Sequence, residues 1–104
     1  MSAFGIGTNT QGTNAGKIRG NQIDIACDCW FMSTGKSIPR IIKFIDENGE
    51  LQTINKIHVK CMEIKNYSGI QSIEYECSII SQGLTHNVKL IFFKENCKWI
   101  MTFL

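Results

Sequence analysis

The chain has 104 residues, the size of one domain with one core, and its 43% hydrophobic and 19% charged residues exclude an intrinsically disordered protein. A net charge of +2, with basic residues scattered among acids from Lys36 to Lys98, lacks the concentrated excess of a typical nucleic-acid-binding module. No apolar run approaches the ~18–20 residues that a membrane helix needs.

Residues 1–20 hold five of the nine glycines, with Phe4, Ile6 and Ile18 as their only large apolar side chains. Such a stretch buries too little surface to offset its ordering entropy, so it reads as a flexible glycine-rich arm ahead of a single folded domain, residues 21–104. It also lacks the basic start and apolar stretch of a secretory signal. With Met1 as the natural start, the expected location is the cytoplasm. Five cysteines, an odd number, agree with a reducing compartment.

From Ile23 to Phe31 the odd positions are all apolar while Asp24 and Asp28 fall on even ones, the alternation of a half-buried strand. Cys27 and Cys29 share the apolar side. Thr34-Gly35-Lys36-Ser37 ends like a phosphate loop, but Trp30 stands where the first glycine belongs and Pro39 leads into a strand instead of a helix, so it reads as a turn. A second strand runs over 39–45, Glu47-Asn48-Gly49 is a turn, and a third strand spans 51–64, with blurred alternation and a bulge near 51–56.

Turn lengths then fix the registers. A three-residue loop at Tyr67-Ser68-Gly69 pairs Cys61 with Tyr75, Val59 with Cys77 and Ile57 with Ile79. A two-residue loop at Gln82-Gly83 pairs Cys77 with Val88, Tyr75 with Leu90 and Ile73 with Phe92. Another at Glu95-Asn96 pairs Phe92 with Trp99, Leu90 with Met101 and Val88 with Phe103. The expectation is all-β: six antiparallel strands in meander order (21–32, 39–45, 51–64, 70–81, 84–94, 97–103) forming a small barrel or sandwich, which limits exposed edges. All five sulfurs would lie on its apolar side, and Glu76 would stand between Lys60 and Lys89 on the other.

This phase weighs against site chemistry. The CxC pair spreads its sulfurs along a strand, unlike the turn-borne pairs of structural zinc sites, so no metal is assigned and the thiols read as core residues. Cys97 is the exception, beside a turn opposite Lys94, where exposure and positive charge favour reactivity. His86 faces inward opposite Ile79 and His58 outward beside Lys60. Neither stands in a nucleophile–histidine–acid pattern. Glu74 and Glu76 share a face flanked by lysines, the pattern of a solvated surface. No catalytic residue or cofactor is assigned, and the protein is read as a non-enzyme.

One feature departs from a plain sheet. The registers put Ile91 against Ile100 on the face away from the core, with Phe93 nearby, and Trp30, Met62 and Ile64 also point outward. A contiguous apolar patch marks a contact surface. It is covered by the arm through Phe4 and Ile6, by a second copy, or by another protein, unless strand bends turn these residues inward.

The string CDCWFMSTGKSIPRIIKFIDENGELQTINKIHV, followed by YSGIQSIEYEC and KENCKWIM, resembles small proteins of unknown function encoded on conjugative elements of clostridia and related gut bacteria. The likeness runs from about residue 25 to the C-terminus. It implies a cytoplasmic accessory protein of mobile DNA and brings no site residues.

The leading expectation is a non-enzymatic protein-interaction module, acting on a protein partner or as a homodimer, with Trp30, Met62, Ile91, Phe93 and Ile100 as its contact surface. A small barrel binding single-stranded nucleic acid is the alternative, stacking bases on Trp30, Phe31 or Tyr67 and tracking phosphates with Lys36, Arg40 and Lys43. A third class, a barrel holding a small apolar ligand, is disfavoured by the bulk of Tyr75, Phe92, Trp99 and Phe103 inside.

Overall fold

The computed structural model describes residues 22–104. The arm expected at 1–20 lies outside the described residues. Seven antiparallel strands form one curled sheet, a half-barrel: β1 Gln22–Phe31, β2 Ser37–Ile45, β3 Leu51–Ile54, β4 Ile57–Tyr67, β5 Ile70–Ser81, β6 Leu84–Phe93 and β7 Lys98–Phe103. Their spatial order is β3-β2-β1-β7-β6-β5-β4. The first and last strands of the chain therefore pair, and the sheet stays open between β3 and β4. Among the described residues no helix is long and apolar enough to cross a membrane.

One predicted strand proves to be two. Ile54 packs opposite Ile42 and Ile57 opposite Ile79, both toward the core. Three positions separate them, an odd step that a period-two strand cannot make with both side chains on one face. The chain breaks at Asn55-Lys56 and passes across the open side, where Ile80 N donates to the Lys56 carbonyl at 3.2 Å.

Strand β1 serves two neighbours. Its residues Gln22 to Ile25 pair with β7, and Ala26 to Phe31 pair with β2. The β1–β2 register shifts between Asp28 and Cys29, leaving Arg40 as the extra residue of β2. The turn after β2 is held by Asp46, whose Oδ1 accepts from Asn48 N and Glu50 N, both at 2.9 Å. Hydrogen bonds to the ionised form, first from Glu50 N and next from Gln52 Nε2 at 2.7 Å, hold the Asp46 carboxyl below its ordinary value.

The β5–β6 and β6–β7 registers are the predicted ones: Tyr75 opposite Leu90, Cys77 opposite Val88, Phe92 opposite Trp99 and Leu90 opposite Met101. Tyr75, Cys77, Val88, Leu90 and Met101 are all fully buried. Tyr75 stacks on Trp99 at 5.7 Å and Phe92 tilts against Trp99 at 4.9 Å, so rings occupy the middle of the interior. Each fully buried aliphatic side chain contributes ~1.5–3 kcal/mol.

The β4–β5 register departs from expectation. The loop is the two residues Ser68-Gly69, both with positive φ (55° and 85°), rather than Tyr67-Ser68-Gly69. Tyr67 pairs with Ile70, which places Met62 opposite Tyr75 and Ile64 opposite Ile73. A shift between Val59 and Cys61 then restores Val59 opposite Cys77. Lys60 is the extra residue, and its Nζ reaches Asn87 Oδ1 at 2.9 Å.

Candidate interaction surface

The thiols divide by strand. Cys77 is fully buried, Cys27 and Cys29 are half-buried against the core, and Cys61 and Cys97 are exposed. The expectation of five sulfurs in one dry interior is corrected at two positions. The Lys60 bulge turns Cys61 outward opposite Glu76, with Sγ 3.7 Å from Oε1. The last hairpin keeps its register but has four loop residues, Lys94 to Cys97, with Cys97 at φ 53° and its Sγ against the Lys94 carbonyl. Burial pushes the Cys27 thiol up to about 12, helped by neighbouring Cys29 and Asp28, and pushes Cys77 up to about 12 as well. Among the described residues, no three histidine, cysteine or acidic side chains gather in a metal-binding arrangement.

His86 sits opposite Ile79 and meets Phe103 edge-on at 5.7 Å, and His58 is exposed. The Thr34-Gly35-Lys36-Ser37 stretch is a turn, with Gly35 N donating to the Met32 carbonyl at 2.9 Å. Lys89 pairs with Glu74 at 3.3 Å, not with Glu76, and Glu74 is buried rather than solvated. Asp24 is buried too. Desolvation raises its pKa, partly offset by Lys98 at 3.8 Å. Where β1 leaves β7 for β2, an open cleft of about 630 Å³ forms, lined by Asp24, Cys27, Phe92, Cys97, Lys98 and Trp99. It gathers two thiols and the Asp24–Lys98 ion pair.

The five residues read as a contact surface fall in three places. Ile91 and Ile100 pair on the outer face of β6 and β7, as expected, with Phe93 half-buried in the next row. Trp30 lies outside the β1–β2 pair, 53% exposed, with the Arg40 guanidinium 4.1 Å above its ring. Met62 and Ile64 face the concave side instead of the outer one, because the shorter loop moves them by one residue. Ser37 Oγ donates to Met62 Sδ at 3.7 Å and also hydrogen-bonds the Tyr75 hydroxyl.

The concave side therefore ends in an apolar mouth. Phe31, Met62 and Ile64 are exposed there, and Phe31 rests on Phe92 at 5.8 Å. Strand β4 borders this mouth as the last strand of the sheet, paired among the described residues only with β5. Reading Ser68-Gly69 as a two-residue loop is the signal that finds Met62 and Ile64 on this side.

No family model matches this chain, and comparisons with curated proteins and with solved structures return no match.

Proposed function

We propose that the protein is a non-enzymatic interaction module that receives an extended, apolar segment of a partner protein along the free edge of β4. One observation carries this reading: the sheet ends at an 11-residue edge strand beside the exposed Met62 and Ile64. Strand addition takes its affinity from main-chain hydrogen bonds to such an edge and its specificity from side-chain sites alternating along it. A partner strand on β4 would satisfy the free edge and bring an apolar side chain over the mouth. A cytoplasmic accessory role on a mobile element, which the family resemblance implies, belongs to the same proposal.

The test uses the full-length protein as bait in an extract of its host, alongside Ile64→Lys and an exposed control, Lys43→Glu. A protein retained by the wild type and the control, but at least tenfold less by Ile64→Lys, supports the reading. Slowed amide exchange across 57–67 in the purified complex must accompany it. Equal retention by all three variants overturns the edge as the contact. Sedimentation of the protein alone at micromolar concentration separates a second copy from a different partner. Single-stranded nucleic acid is the competing occupant, favoured only by the Arg40–Trp30 stack near Lys36 and Lys43. Retention of an oligonucleotide that falls steeply with salt would replace the protein reading.

A further inference from the structure

Ile91 and Ile100, on the outer face of β6 and β7, are buried, so they offer no accessible patch. The exposed Met62 and Ile64 lie on β4 instead, and the order of charges along that strand says which partner its edge fits. Among the described residues the edge is unpaired, and its regular stretch is short. At one end the Lys60 bulge interrupts it and Ser37 Oγ reaches Met62 Sδ at 3.7 Å. At the other the Ser68-Gly69 loop closes it, with Tyr67 opposite Ile70. Between them stand Met62, Glu63, Ile64, Lys65 and Asn66.

The loop also fixes which backbone groups are free. A two-residue hairpin loop is flanked by a pair that exchanges both hydrogen bonds, so Tyr67 turns its N–H and C=O toward Ile70. Counting back in twos, Lys65 and Glu63 also direct theirs at β5, while Asn66, Ile64 and Met62 direct theirs at the open edge. A second β4, antiparallel about a two-fold axis, must set these three residues against the same three. Centred on Glu63 or Lys65, the pairing brings like charges face to face, which is destabilising. Centred on Met62 or Asn66, it runs into the bulge or the turn. Centred on Ile64, it uses the whole stretch: Ile64 faces Ile64, Met62 faces Asn66, and Glu63 faces Lys65 on both sides of the axis. Glu63 and Lys65 already pair within one chain at 3.3 Å, both reached by solvent. Two copies turn that pair into an alternating ring, with each carboxylate between its own lysine and the other chain's.

We propose that two copies of the chain join through β4 in this register, with Ile64 on the axis, continuing one sheet into the other. Such an interface presents the same patch from both subunits. The concave faces fall on the same side, and the two apolar mouths become neighbours. The proposal rests on the reading of β4 as a receiving edge and names its occupant, a second copy of the same strand.

Sedimentation equilibrium of the full-length protein from ~10 µM to ~1 mM tests it. The wild type is expected to approach twice the mass of one chain. Glu63→Lys and Lys65→Glu should each weaken association at least ~tenfold, and Glu63→Lys/Lys65→Glu together should recover it, because opposite charges again face each other. Amide exchange at Met62, Ile64 and Asn66 should slow as concentration rises. A dimer indifferent to both single changes overturns the proposal. A monomeric wild type that still captures a different host protein, dependent on Ile64, overturns the second copy and leaves the β4 edge as a receiving surface. A monomeric wild type whose captured proteins are retained equally by Ile64→Lys overturns both.

Discussion

Between Ser72 and Phe103 the strands β5, β6 and β7 pair residue for residue without a shift, whereas β1–β2 and β4–β5 each pass through one. In the regular part, alternation holds from turn to turn, and Cys77, Val88, Leu90 and Met101 reach full burial on one face. In the flanking part a single extra residue, Lys60 or Arg40, re-aims the side chains beyond it. Bulges of this kind bend the strand locally and turn the side chains that follow to the other face. The ladder thus builds the core, and the flanks build the surface: Cys61 turns out, Met62 turns in, and Arg40 comes to lie over Trp30.

The thiols give the largest measurable contrast between the two regions. The thiolate is the reactive form, and a Cys77 pKa pushed up to about 12 leaves roughly one thiolate in 10⁴ at pH 8. Iodoacetamide at that pH is expected to modify Cys61 and Cys97 first, with Cys77 slower by at least ~10²-fold. Peptide mass mapping against time reads the order. Because pH 8 lies far below that pKa, raising the pH by one should speed Cys77 about tenfold. Labelling of Cys77 at the rate of Cys61 would mean that the ladder opens readily.

Packing supplies the next contrast. Leu90 is fully buried and Ile64 is 66% exposed, although both face the concave side. Leu90→Ala is expected to cost ~3 kcal/mol by lost transfer energy and residual cavity. Ile64→Ala should stay within ~0.5 kcal/mol. Urea midpoints at constant slope measure both. Comparable losses would show that the mouth at β4 is closed in solution.

Both results bear on why one region is legible in the sequence and the other is not. Gln82-Gly83 is a two-residue turn, and counting outward from it yields every pair from Ile73 opposite Phe92 to Cys77 opposite Val88. Ser68-Gly69 follows the same rule, yet Tyr67 resembles a loop residue as readily as a strand end. Misreading that loop moves the register by one, and the Lys60 bulge moves it back. Val59 opposite Cys77 is therefore right in the sequence reading while Cys61 opposite Tyr75 is not. The misread loop hides the mouth made by Phe31, Met62 and Ile64, whereas the Lys60 bulge, which has no residue signature comparable to a positive-φ glycine, hides the return to register at Val59. The Ile91–Ile100 pair is readable, but its burial is not. Alternation tells which side a residue faces and nothing of what lies over it.

The turns themselves provide the smallest contrast. A two-residue hairpin of this kind needs positive φ at both positions, and Gln82 and Gly83 adopt 54° and 77°. A Cβ added at Gly83 meets nothing within 4 Å, so Gly83→Ala should cost only the conformational penalty, ~1–2 kcal/mol. Gln82 already carries that penalty, and Gln82→Asn is expected to stabilise by about 0.5 kcal/mol, since asparagine tolerates the left-handed region better. Ser68→Asn makes the same change at the other turn, where Gly69 N is already held by Asn66 Oδ1 at 3.0 Å. That end of β4 lies beyond the bulge and packs exposed side chains, so its ordering adds less to the core. A smaller gain at Ser68 than at Gln82, read from thermal midpoints of the two variants, is the expected outcome. Equal gains would mean that the bulge does not loosen β4 from the rest of the sheet, and the division between ladder and flank would have to be redrawn.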